Sequence, residues 1–95
     1  MENLYPDNFI YKIIFRKAQF TQENFIKILV EEKFLESYDD FSIVESSKGK
    51  YVSLTFDIFI DTEDRADILN KLIYAQSGIV NYYSIVNPGE KNGND

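Results

Sequence analysis

The sequence predicts an α+β sandwich of order βαββαβ, with two helices on one face of a four-stranded antiparallel sheet in spatial order 4-1-3-2. Three observations lead there. Residues 51–60 alternate over ten positions, with Val52, Leu54, Phe56, Ile58 and Ile60 on one side and Tyr51, Ser53, Thr55, Asp57 and Phe59 on the other, the period-2 pattern of a central strand buried on one face. A polar turn, Ser47-Lys48-Gly49-Lys50, joins that run to a shorter alternating one before it. Two stretches of helical apolar spacing lie on either side, each separated from the chain terminus by a further β-forming run. Right-handed crossovers then place both helices on the same face and the first and third strands at the centre.

The lead-in, residues 1–8, contains Tyr5-Pro6-Asp7, and a proline that fixes φ and removes a donor predicts an extended segment ending where the first strand begins. From Phe9 to Arg16, Phe9, Tyr11, Ile13 and Phe15 alternate with Ile10, Lys12, Ile14 and Arg16. The first set belongs under helices. The second, two isoleucines and two cations, suits a face turned to solvent or to a partner.

Thr21 is the expected N-cap of the first helix, with Glu23 in the turn where a negative charge complements the dipole. Its broad apolar stripe runs through Phe25, Ile26, Ile28, Leu29 and Val30 to Phe34 and Leu35. Ser37–Asp40 breaks it. Phe41–Ser46 reads as a short strand, Phe41 and Ile43 inward and Ser42 and Val44 outward. Gly49 supplies the positive φ that a hairpin turn requires.

Asp61-Thr62 offers the second N-cap, followed by Glu63 and Asp64, and Ala66, Leu69, Leu72 and Ile73 form the stripe, with Ile68 at its margin. Gly78 is the expected helix stop. Ile79–Val86 is the last strand, its inward register left open by the consecutive Tyr82 and Tyr83, and Pro88-Gly89 ends it. One domain thus spans residues 9–86. The polar residues that follow have nothing to bury and predict a disordered tail over 87–95.

With 95 residues, the chain can bury roughly two thirds of its unfolded surface without a staple. It has no cysteine and no histidine, which removes disulfides, thiolate metal sites, Cys or His nucleophiles and imidazole acid-base chemistry. The formal charge is −6, from ten basic and sixteen acidic residues, the wrong sign for phosphate-backbone binding. Residues 1–8 lack a basic and apolar leader, and no apolar run reaches membrane-spanning length; a cytoplasmic protein is expected.

The run Ser46-Ser47-Lys48-Gly49-Lys50-Tyr51-Val52-Ser53-Leu54, with Phe9-Ile10-Tyr11-Lys12 and Ile79-Val80, resembles the small bacterial YbeD-like family, also called the lipoate regulatory protein family. The resemblance extends from Tyr5 to Val86, and the Ser-Ser-Lys-Gly-x-Tyr run is its most specific part. It implies a ferredoxin-like fold similar to the ACT regulatory domain and a connection with lipoate metabolism. It carries over no catalytic residue, and the tail after Val86 departs from the family's usual end.

Two candidate sites follow. The outward set Ile10, Lys12, Ile14, Arg16, Val44, Tyr51 and Phe59 carries more apolar residues than a solvated face needs, and suits protein partners or self-association. The turn Ser47, Lys48, Gly49, Lys50 offers cations and backbone amides to a small anionic ligand, or simply makes the hairpin. RNA-recognition domains share the topology and a Lys-Gly-x-x-aromatic-Val pattern on the third strand, but Lys48-Gly49-Lys50-Tyr51-Val52 is one residue short. Binding of single-stranded RNA by the open face is the alternative reading; the acidic charge argues against nucleic acid. An acylphosphatase-like phosphate loop would need glycine after the first strand, where Arg16-Lys17-Ala18-Gln19-Phe20 has none. The acids Asp39, Asp40, Asp61, Glu63 and Asp64 sit where turns and helix N-termini favour them. The expectation is a non-enzymatic regulatory or interaction module without cofactor or metal.

Overall fold

The structure, a computed structural model, describes residues 4–37 and 41–87. Its elements are β1 (Asp7–Arg16), α1 (Gln22–Glu31), β2 (Ser42–Glu45), β3 (Tyr51–Ile60), α2 (Glu63–Tyr74) and β4 (Ile79–Val86). All strand pairs are antiparallel, and the sheet order is β2-β3-β1-β4, the predicted 4-1-3-2 read from the other edge. The core lies between the sheet and both helices. Phe9, Tyr11, Ile13 and Phe15 from β1 and Val52, Leu54, Phe56, Ile58 and Ile60 from β3 are buried in one cluster with Phe25, Ile26 and Leu29 from α1 and Ala66, Leu69 and Ile73 from α2. Tyr11 and Phe56, paired across β1 and β3, stack with ring centroids 5.7 Å apart.

Several boundaries differ from those expected. β1 begins at Asp7 rather than Phe9, because β3 runs on to Phe59 and Ile60 and provides partners for Asn8 and Asp7; Pro6 stands just outside the ladder, where its missing N–H costs nothing. β2 starts at Ser42, one residue after Phe41, and stops at Glu45.

The helix expected to continue to Leu35 ends four residues earlier. Lys33 takes φ 67°, and the Phe34 N–H donates to the Leu29 carbonyl (2.8 Å) while the Lys33 N–H donates to that of Val30 (3.0 Å). This is a Schellman ending with lysine where glycine is usual. It turns Phe34 and Leu35 into the core from outside the helix, so they keep the burial that their spacing predicted. Thr21 stands at the N-cap without a side-chain hydrogen bond, whereas the Thr62 hydroxyl accepts from the Arg65 N–H (3.2 Å). Arg65 then fastens the two helices: its guanidinium donates to the Glu32 carbonyl and lies 4.0 Å from the Phe34 ring centroid. Leu72, placed in the core by its spacing, is only partly buried; Ile73 takes the deep position.

Gly78 does take a left-handed conformation (φ 86°), but α2 has already ended at Tyr74 with Ala75 as its cap. Its carbonyl accepts from the Arg16 N–H (2.8 Å), and a Cβ there would meet Gln19 Cβ at 2.9 Å. The residue is needed for a close crossing of two loops. β4 pairs with β1 with an irregularity between Ile14 and Phe15, which turns Tyr82 toward the core side opposite Ile13 and leaves Tyr83 outward opposite Lys12. Asp39, Asp40, Pro88, Gly89 and the tail from Glu90 to Asp95 lie outside the described residues; Asn87 donates its N–H to the Asn8 carbonyl (2.8 Å).

Candidate functional site

The outer sheet face is set by the same alternation that builds the core. Each outward β1 residue has one neighbour on β3 and one on β4: Ile14 lies between Ser53 and Asn81, Lys12 between Thr55 and Tyr83, and Ile10 between Asp57 and Ile85. Cross-strand partners stand about 4.5–5.5 Å apart, so the face reads as a grid. Its apolar part lies toward β4. Ile10 and Ile85 are direct partners, Tyr83 is diagonal to both Ile10 and Ile14, and Lys12, the direct partner of Tyr83, stands between the two isoleucines on β1. Tyr83 and Ile85 are half exposed.

The seven residues expected on this face are all outward, but they do not form one patch. Ser53 separates Val44 from Ile14. Phe59 remains outward and 58% exposed instead of bending under a helix; its direct partner is Asn8, with Ile10 only diagonal to it. Arg16 and Tyr51 are partners at the opposite end of β1 and β3. Tyr83 and Ile85 complete the patch and were missed because the two consecutive tyrosines hid the register of β4. Only the irregularity opposite Ile14 and Phe15 decides it, and no residue type announces it. The two aromatic residues on β3's outer side, Tyr51 and Phe59, are eight residues apart, about 26 Å, too far to stack neighbouring bases.

Arg16 and Tyr51 belong instead with the hairpin. Residues 16–19 and 49–51 line a concavity of about 620 Å³. Ser46 shapes the turn: its carbonyl accepts from Gly49 N–H (3.0 Å), its N–H donates to the Tyr51 carbonyl (2.8 Å), and its hydroxyl accepts from Tyr51 N–H (3.2 Å). Gly49 has φ 73° with open space where a Cβ would stand. Of the four turn residues singled out by sequence, Gly49 and Lys50 reach the concavity, whereas Ser47 and Lys48 are exposed and are not part of its wall. Lys17 donates from Nζ to Glu45 Oε2 (2.6 Å).

A second concavity, about 530 Å³, lies between α2 and β4 and includes Tyr5, Tyr11, Tyr74 and Tyr82 in its wall. The Tyr82 hydroxyl donates to Asn70 Oδ1 (3.2 Å), and its ring meets that of Tyr74 edge-on at 5.3 Å. Burial raises the pKa of Tyr11, against a lowering effect of its hydrogen bond with Ser84. Burial also raises that of Tyr82, reinforced by the Tyr74 hydroxyl. Both phenols are therefore neutral hydrogen-bonding groups near pH 7. Among the described residues, no group of three acids is placed to hold a metal ion, and no helix is long and apolar enough to cross a membrane.

Residues 2–82 match the model of a family described as protein of unknown function, DUF493. The chain belongs to the DUF493 family. That is the name by which the YbeD-like family is known, so the strand and turn motifs resembled the right relatives. No curated protein matches the DUF493 chain. Among solved structures, it is similar to the solution structure of the C-terminal domain of the MgtC protein from Mycobacterium tuberculosis, with a TM-score of 0.59 at 13% identity over 92% of this chain and 94% of that one. At that identity the likeness is one of fold.

Proposed function

We propose that this DUF493 chain is a non-enzymatic, cytoplasmic interaction module that pairs with a second copy of itself along β4 and the adjoining part of the outer sheet face. The observation that carries the reading is a contrast between the two edges of the sheet. β2 is four residues long and carries Glu45, bonded to Lys17, the short and charged kind of edge that resists pairing. β4 has eight residues, Ile-Val-Asn-Tyr-Tyr-Ser-Ile-Val, with no charge and no proline, and pairs on one side only. Asn81 covers the Tyr82 N–H with its own carboxamide (2.8 Å), which leaves Tyr83–Val86 as the segment suited to strand addition.

A second copy is the occupant that this surface fits. Two β4 edges meeting about a two-fold axis would lengthen the sheet and set Ile85 and Tyr83 of each copy beside those of the other, the self-complementary arrangement that an isologous interface requires. The outward apolar set of half-exposed Tyr83 and Ile85 with the partly buried Ile10 and Ile14 would then be continuous across both copies. The βαββαβ order shared with ACT regulatory domains favours a regulatory role for such a pair, and the lipoate connection implied by the YbeD-like resemblance is where a regulated enzyme would be sought.

Sedimentation over a wide concentration range tests the reading. The wild type should self-associate, and Ile85→Lys should shift it to monomer while leaving the melting temperature of the dilute protein within a few degrees, because a half-exposed side chain is changed. A wild type that is monomeric at all concentrations, or association unaffected by Ile85→Lys, would overturn it.

A further inference from the structure

We infer that the concavity where β1 leaves the sheet beside the β2–β3 hairpin is a binding site for a small organic anion, a phosphate or carboxylate joined to a flat apolar group. This goes beyond pairing and uses no residue of β4.

The charge there is opposite to that of the molecule. The chain carries −6 overall, yet four of its ten basic residues, Arg16, Lys17, Lys48 and Lys50, gather in the two segments that meet at this corner, three of them in the wall of the concavity with no acid among the lining residues. Lys17 is neutralised by Glu45. Among the described residues Arg16 and Lys50 have no side-chain partner, so two cations face the same space with nothing to balance them. Like charges held together in an acidic protein repel one another and gain from a shared anion. Arg16 brings a planar fork suited to two oxygens.

The second half of the ligand is set by the rest of the wall, which is mostly carbon. Tyr51 is 40% exposed and is the cross-strand partner of Arg16, so guanidinium and phenol ring stand side by side on one face. A ring stacked on Tyr51 would place an attached anion next to Arg16, with Lys50 adjacent in the chain. A volume of about 620 Å³ lies within the usual range of about 300–1,000 Å³ for small-molecule sites. Backbone bonds hold this geometry: the Lys17 N–H donates to the Lys50 carbonyl (3.1 Å), tying the two segments together, and the Arg16 N–H donates to that of Gly78 (2.8 Å), anchoring the first segment to the loop before β4.

The probe is phenyl phosphate, titrated into ¹⁵N-labelled protein and followed by amide chemical shifts, with inorganic phosphate and phenol titrated separately. At the efficiency of an ordinary ligand of its size, phenyl phosphate should bind with a Kd of about 0.1–1 mM, shifting amides of residues 16–19 and 49–51. Either fragment alone should bind at least about tenfold more weakly. Arg16→Gln and Lys50→Gln should each weaken phenyl phosphate about tenfold, the usual worth of a hydrogen bond to a charged group. Tyr51→Leu should weaken phenyl phosphate but leave inorganic phosphate unchanged, and Glu45→Gln, by freeing Lys17, should tighten both. The spectra of these surface variants report their folding directly. The inference is overturned if phenyl phosphate leaves these amides unmoved, if phosphate alone binds as tightly, or if the Arg16 and Lys50 variants, folded, bind as the wild type does.

Discussion

Phe56 and Phe59 lie three residues apart on the same central strand and should lose very different amounts of stability on the same change. Phe56 is 2% exposed, stacked on Tyr11 and enclosed by the core cluster, whereas Phe59 is 58% exposed on the outer face. Truncating Phe56 to alanine removes a buried ring and leaves a cavity bounded by a rigid sheet, a loss of about 3–5 kcal/mol. A domain of this size has about 5–15 kcal/mol to lose in all, and each kcal/mol moves its midpoint by roughly 4–8 °C, so Phe56→Ala should melt more than about 10 °C early. Phe59→Ala gives up some strand preference and partial contact, no more than about 1 kcal/mol. Urea and thermal unfolding of both variants at one fixed protein concentration, so that self-association does not enter the comparison, give the two losses directly. Equal losses, or a larger one for Phe59→Ala, would mean that β3 is turned the other way, and with it both the core and the outer face.

Other substitutions examine the joints of the fold. Lys33→Gly should stabilise by ~0.5–1 kcal/mol, since Lys33 is exposed and holds φ 67° at the helix end where glycine is strain-free; a destabilised variant in urea unfolding would refute that ending. Gly78→Ala should cost about 1–3 kcal/mol, from its left-handed backbone and the close Gln19 Cβ; a neutral result would show that the crossing is looser than described. Tyr11 and Tyr82 have folded-state pKa values raised above the ordinary 10.0, so their contribution is present in full below pH 10 and is lost as pH rises through their higher folded values. Tyr11→Phe should therefore flatten the fall in urea midpoint above pH 10, and an unchanged slope would show that Tyr11 ionises as freely in the folded protein as in the unfolded one.

Much of the fold was legible because the strands state their facing plainly. Every second residue from Val52 to Ile60 and from Phe9 to Phe15 is buried, and the polar turn around Gly49 marked the hairpin between β2 and β3. What could not be read lay where tertiary contacts override local preference. Helical spacing continued through Phe34 and Leu35, and only the left-handed Lys33 shows that they are buried from a loop. Gly78 announced a positive φ but not that it serves a crossing with Gln19. The candidate site was half legible: outward residues were assigned correctly, yet their grouping depends on register. The β4 irregularity brings Tyr83 and Ile85 beside Ile10, and the β1–β3 register pairs Arg16 with Tyr51 at the far end of the face, next to Lys50.

The measurement that bears most directly on the proposed pairing is an isotope-filtered NOE experiment on a mixture of ¹³C-labelled and unlabelled chains, in which only contacts between copies appear. Pairing along β4 predicts cross-copy contacts among Tyr83, Ser84 and Ile85, with further contacts to Ile10 and Ile14. A dimer whose contacts map to β2 or to the helices, or a mixture that gives none at concentrations where the chain is fully associated, would contradict it.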